Sequence, residues 1–118
     1  MVAAVDGAYD PSRRLRKVGI VPILRIEHPT NDFASWKAAF DRDPAARSKS
    51  GVQRYSIYQP VDNPRYVLID LEFETVAQAE QLLTSMKQIW SSGVAGAALG
   101  GEPRTQILET MEVTQLAA

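Results

Sequence analysis

The sequence predicts an α+β domain in which two β-α-β units follow one another, giving the order βαββαβ. Three observations carry this. Val18 to His28 is a nearly continuous apolar run, Tyr66 to Glu74 alternates cleanly between apolar and polar residues, and a stretch with apolar residues at helical spacing follows each of them.

The apolar run contains Ile20, Val21, Ile23, Leu24 and Ile26. A run so rich in β-branched residues reads as a strand covered on both faces. Pro22 cannot donate to a ladder, so the regular strand is expected to begin at Ile23, and His28-Pro29 closes it. Thr30, Asn31 and Asp32 are three consecutive candidate caps for the next helix. Phe33, Trp36 and Phe40, with Ala39 beside them, form its apolar face, while Lys37, Asp41 and Arg42 lie opposite. Pro44 stops it, because the residue before a proline is pushed away from helical geometry.

After a polar connection, Val52 to Gln59 has strand composition, with Tyr55, Ile57 and Tyr58. Pro60, Asp62, Asn63 and Pro64 form a dense turn cluster leading into the alternating segment, so the two strands should pair as a hairpin. In that segment Val67, Ile69, Leu71 and Phe73 share one face, and Leu68, Asp70, Glu72 and Glu74 the other. Thr75 and Gln78 match a capping box. Val76, Ala79, Leu83, Met86 and Trp90 then trace the stripe of a second helix, which Ser91-Ser92-Gly93 ends. Gly93 to Pro103 is a small-residue connection, and Arg104 to Val113 is the last strand.

Composition narrows the function classes. A hydrophobic share of 45% with a net charge of −1 is that of a folded globule, with no global field to draw nucleic acid or an anionic membrane. The absence of cysteine removes disulfides, thiol catalysis and thiolate metal sites together, and suits a reducing, cytoplasmic setting. No apolar run reaches the length of a membrane helix. Residues 1–17 include Arg13 and Arg14, but no apolar export core follows them; they read as a flexible polar arm ahead of a single domain over 18–118.

Two helices on one face of a four-stranded antiparallel sheet leave the other face uncovered. Val21, Ile23, Leu68 and Leu108 fall on that side, together with Arg25, Glu27, Asp70 and Glu72. A second copy of the sheet is the expected cover, giving a homodimer with a mixed interface. Pairing of Arg25 with a cross-strand carboxylate is an ordinary structural explanation for the charges.

Leu24-Arg25-Ile26-Glu27-His28, Asp32 to Phe40, Gly51-Val52 and Val67 to Phe73 together resemble the dimeric α/β-barrel superfamily, near the antibiotic-biosynthesis monooxygenases and stress-responsive barrel proteins. The resemblance covers about Ile20 to Val113. It implies a ferredoxin-like sheet-and-helix protomer that dimerises into an α/β barrel. It also implies a pocket between sheet and helices for a small, mainly apolar, aromatic or polyketide-like molecule. Cofactor-independent oxygenase or cyclase-like chemistry and a non-catalytic binding, stress-response or scaffolding role both occur with such a fold, and fold alone does not choose between them.

Within that frame His28 is the candidate catalytic base, being the single histidine and the side chain that titrates near neutrality. Alternation along Leu24, Ile26 and His28 aims it at the helix layer, next to Trp36, where it could deprotonate a phenol or enol. A strand-terminal histidine bonded to a loop carbonyl is the structural alternative. Trp36, Phe40, Tyr55, Phe73 and Trp90 are the candidate substrate-binding residues. Both tryptophans lie on apolar stripes and so read equally as core, but their indole N–H groups still need partners.

Other chemistries fail on the residues. One histidine and no cysteine fall short of a metal-ligand set, so neither metal nor cofactor is expected; haem would have His28 as its one imidazole ligand. The glycines between Gly93 and Gly101 lack the Lys-Ser/Thr ending of a phosphate loop. RNA-recognition domains share the βαββαβ order, but they carry a basic, glycine-containing third strand. Here that strand has Asp70, Glu72 and no glycine, which excludes nucleic-acid binding.

Overall fold

The computed structural model describes residues 21–43, 46–92 and 100–117. The proposed arm over 1–17, the run at 18–20, Pro44 and residues 93–99 lie outside the described residues. The elements are β1 (Pro22–Pro29), α1 (Phe33–Asp41), β2 (Arg54–Tyr58), β3 (Tyr66–Glu72), α2 (Val76–Ser92) and β4 (Arg104–Glu109). All neighbouring strands run antiparallel, in the order β2-β3-β1-β4, so the two strands that open the β-α-β units are central.

Pro22 stands inside β1 rather than before it, as the first residue. Its missing N–H costs nothing there, and its carbonyl accepts a bond from the Phe73 amide at 3.0 Å. The same boundary shortens β4. The expected strand to Val113 stops at Glu109, the residue paired with Pro22, because β1 offers no partner beyond it. The Thr110 hydroxyl then donates to the Val21 carbonyl at 2.9 Å as a last side-chain link. β2 and β3 form the expected hairpin over fewer residues, from Arg54 opposite Glu72 to Tyr58 opposite Leu68.

Of the three candidate caps, Asp32 serves α1. Its carboxylate accepts the Ser35 amide at 2.9 Å and the Ser35 hydroxyl at 2.8 Å, and the hydroxyl bond is the main cause of its lowered pKa. The capping box of α2 forms as the spacing requires. Thr75 accepts the Gln78 amide at 3.2 Å, and the Gln78 side chain accepts the Thr75 amide at 3.1 Å. On α2 the most buried residues are Ala79 and Leu82, with Leu83, Met86 and Trp90 packed against the core. The apolar stripe is one position wider than its sequence pattern suggested, since Leu82 lies beside Ala79 and Met86 at helical spacing.

The core lies between the sheet and the helices. Leu24 and Ile26 of β1 and Val67, Ile69 and Leu71 of β3 face Trp36, Ala79 and Leu82, with Phe73 fully enclosed just past the end of β3. On the other face Arg25 binds Asp70 through two bonds of 2.8 Å, Arg54 binds Glu72 at 2.9 Å, and the Tyr66 hydroxyl donates to Glu27 at 2.7 Å. Ile23, Leu68 and Leu108 stand among them, half-buried. Val21, expected to need a cover, is already buried within the single chain.

Candidate functional site

The last inward position of β1 carries His28, opposite Val67 of β3. Strand alternation places it on the same side as Leu24 and Ile26, and only 3% of its surface is exposed. Its Nδ1 lies 2.7 Å from the Pro29 carbonyl oxygen. A carbonyl oxygen can only accept, so Nδ1 carries the proton and donates. In the neutral ring the lone pair is therefore on Nε2, which has no hydrogen-bond partner among the described residues. Burial lowers the His28 pKa below 6.5, and the bond to Pro29 raises it by less. The imidazole is thus neutral at pH 7, with Nε2 able to accept a proton.

Helix α1 supplies the surroundings. The Trp36 ring is 6.1 Å from the imidazole and tilted by 56° to it. Phe33 lies 5.7 Å from Trp36 on one side, and Phe40 stacks on it at 5.0 Å. Phe40 meets Tyr55 of β2 edge-on at 5.1 Å. The guanidinium of Arg47 lies 3.7 Å above the Phe40 ring, in cation–π contact, and is held by the Phe40 carbonyl at 2.8 Å and Asp43 at 3.3 Å. The result is an aromatic row from the strand end at His28, along α1, to a cation beside the half-exposed Tyr55.

Four of the six candidate residues, His28, Trp36, Phe40 and Tyr55, are therefore brought together. Phe73 is not. Its amide bonds Pro22, at the start of β1, whereas His28 is near that strand's end. Six residues of extended chain separate these points by roughly 20 Å. Sequence alternation put Phe73 and His28 on one face but carried no information on which end of the sheet each would occupy. Trp90 packs partly buried against the core and makes no ring contact with the row among the described residues. Phe33 and Arg47 are members that the sequence reading missed as site residues. Phe33 was visible as part of the helix stripe, but Arg47 lies in a polar connection where no local pattern marks it.

Two hollows lined by described residues lie elsewhere. One, of about 270 Å³, is bordered by Arg25, Glu27, Arg104, Thr105 and Gln106 on the uncovered sheet face. The other, of about 300 Å³, is bordered by Val21, Pro22, Glu109, Thr110 and Met111. Among the described residues, no group of three or more His, Cys, Asp or Glu side chains could hold a metal ion. Nor is any helix formed by them long and apolar enough to cross a membrane.

No protein-family model matches the sequence, and no curated protein matches it. Solved structures do match the fold. A protein of Nitrosomonas europaea described as an antibiotic biosynthesis monooxygenase superposes with a TM-score of 0.61 at 12% identity, covering 82% of this chain and 96% of that one. The cofactor-independent oxygenase SnoaB of Streptomyces nogalater gives 0.60 at 11% identity, covering 79% and 94%. A Streptomyces coelicolor monooxygenase in complex with nanaomycin D gives 0.60 at 9% identity, covering 92% and 96%. The chain therefore has the ferredoxin-like fold of the antibiotic biosynthesis monooxygenase-like proteins, as the sequence resemblance implied. At these identities the likeness is one of fold.

Proposed function

We propose that this protein binds a small, mainly apolar, hydroxylated aromatic molecule beside His28 and removes a proton from it without a cofactor. The observation that carries this reading is the state of His28: a buried, neutral imidazole with Nδ1–H bonded to Pro29 and Nε2 without a hydrogen-bond partner among the described residues. A phenolic or enolic hydroxyl is the partner that Nε2 would accept from, and the Trp36 face beside it suits a flat ring. Phe40 and Tyr55 would extend that wall, while Phe73 and Trp90 support the core. The fold neighbours include cofactor-independent oxygenases, which supports the same class of chemistry. For an anthrone, loss of the proton gives an enolate that reacts with dioxygen; one oxygen atom becomes the new carbonyl and the other leaves as water.

The test is oxygen uptake with 1,8-dihydroxyanthracen-9-one as substrate, alongside the imidazole signals of the single histidine. His28→Gln is expected to abolish turnover while leaving the far-ultraviolet circular dichroism unchanged. Undiminished turnover in that variant would remove His28 from the chemistry. Anthrone addition that leaves the wild-type imidazole signals unmoved would remove the site itself. A non-catalytic binding or scaffolding module is the second reading, and the packing of Phe33 and Phe40 against Trp36 favours it, because each ring already has a neighbour.

We also infer a cytoplasmic homodimer joined through the uncovered sheet faces. Ile23, Leu68 and Leu108 are half-covered, Tyr58 is 49% exposed, and the charges between them are already paired within the chain, which lowers the cost of burying them. Beyond β4, Met111 at 87% and Leu116 at 83% exposure add apolar surface in need of cover. Light scattering should give twice the chain mass at micromolar concentration, and a stable monomer would overturn the inference. The lack of cysteine is the support for the reducing compartment.

A further inference from the structure

We propose that Gly100 is a positioning residue for His28, acting through the Pro29 carbonyl. That carbonyl receives two donors at once, the His28 Nδ1–H at 2.7 Å and the Gly100 amide at 2.8 Å. The other side of the same peptide group is also held, since the Thr30 amide donates to the Arg65 carbonyl at 2.8 Å. The Pro29–Thr30 peptide is thus pinned by the chain entering β3 and by the chain approaching β4, and it in turn fixes which imidazole nitrogen carries the proton.

The approach of Gly100 is tighter than an ordinary Cβ contact allows without movement. A Cβ there would lie 3.0 Å from the Thr30 nitrogen and 3.1 Å from the Pro29 carbonyl carbon. Both are backbone atoms of a pinned peptide and cannot swing aside, so the peptide itself would shift. The reason for glycine is therefore space rather than a left-handed backbone, which among the described glycines belongs to Gly51, at φ 98°. Gly101 differs: a Cβ there would meet the Pro29 ring at 3.1 Å, and would not press on the carbonyl. Displacing the carbonyl frees Nδ1, and a buried imidazole without that acceptor has no reason to keep its proton there.

The functional consequence rests on His28 as the proton acceptor, but the clamp can be tested apart from it. The full chain has one histidine, so long-range proton–nitrogen correlation of ¹⁵N-labelled protein reports its tautomer without ambiguity. The wild type is expected to show the Nδ1–H form and slow solvent exchange of the Gly100 amide. Gly100→Ala is expected to lose the Nδ1–H form, and Gly101→Ala to retain it. A wild-type proton on Nε2, an unprotected Gly100 amide, or Nδ1–H persisting in folded Gly100→Ala would each overturn the clamp. Both wild-type measurements decide the matter even where the alanine variant does not fold. Loss of the Nδ1–H form with unchanged anthrone oxidation would uphold the clamp and remove His28 from catalysis.

Discussion

On the helix-facing side of the sheet Leu24, Val67 and Leu71 are fully enclosed, and Phe73 just beyond β3 is too. On the other side the residues between them in sequence are tied across neighbouring strands, Arg25 to Asp70 and Glu72 to Arg54. The two sides are made by the same strands with a period of two, yet they are stabilised by different means. One excludes water through apolar burial. The other satisfies charges in pairs and keeps Ile23, Leu68 and Leu108 half-open between them. A face whose charges are already matched costs less to bury against a second copy than a face of unpaired charges. One side is therefore a core with His28 at its edge, and the other keeps paired charges and half-covered apolar residues at the surface.

Substitution should separate the sides in size of effect. Phe73→Ala removes a fully enclosed ring and is expected to cost about 4–5 kcal/mol in urea unfolding. Trp36→Ala, at 5% exposure and with an indole N–H that has no partner among the described residues, should cost less, about 3 kcal/mol. A loss under about 1 kcal/mol there would mean that Trp36 lines open space, and would sharpen the case for a pocket beside His28. Asp70→Asn on the opposite side keeps the volume but weakens the double bond to Arg25, and about 1–2 kcal/mol should be lost. If Asp70→Asn cost as much as Phe73→Ala, the contrast between the faces would fail.

The smallest effect is one of pH. The folded His28 titrates below 6.5 because burial disfavours its charged form. As pH falls through 6.5 the unfolded chain takes up a proton that the folded chain does not, so stability declines from there down to the folded pKa. Thermal unfolding across that window should show the decline in the wild type and its loss in His28→Gln. A flat profile in the wild type would mean that the imidazole is more solvated than its 3% exposure implies.

Much of this molecule was legible before any fold. Period-two alternation named the inward side of β3, and helical spacing named Phe33, Trp36 and Phe40 as one face, because both follow from backbone geometry within a few residues. The capping box of α2 was readable for the same local reason. His28 could likewise be assigned to the helix-facing side from Leu24 and Ile26. What tertiary structure alone decided is how distant segments meet. The register of β1 against β3 and β4 put Phe73 and His28 at opposite ends and ended β4 at Glu109. It also set Gly100 against Pro29, some seventy residues away in sequence, so that one carbonyl orients the imidazole. Local patterns carry a residue's side and spacing, but not which residue from another strand or loop arrives next to it, since that is settled by the packing of the whole sheet and its helices.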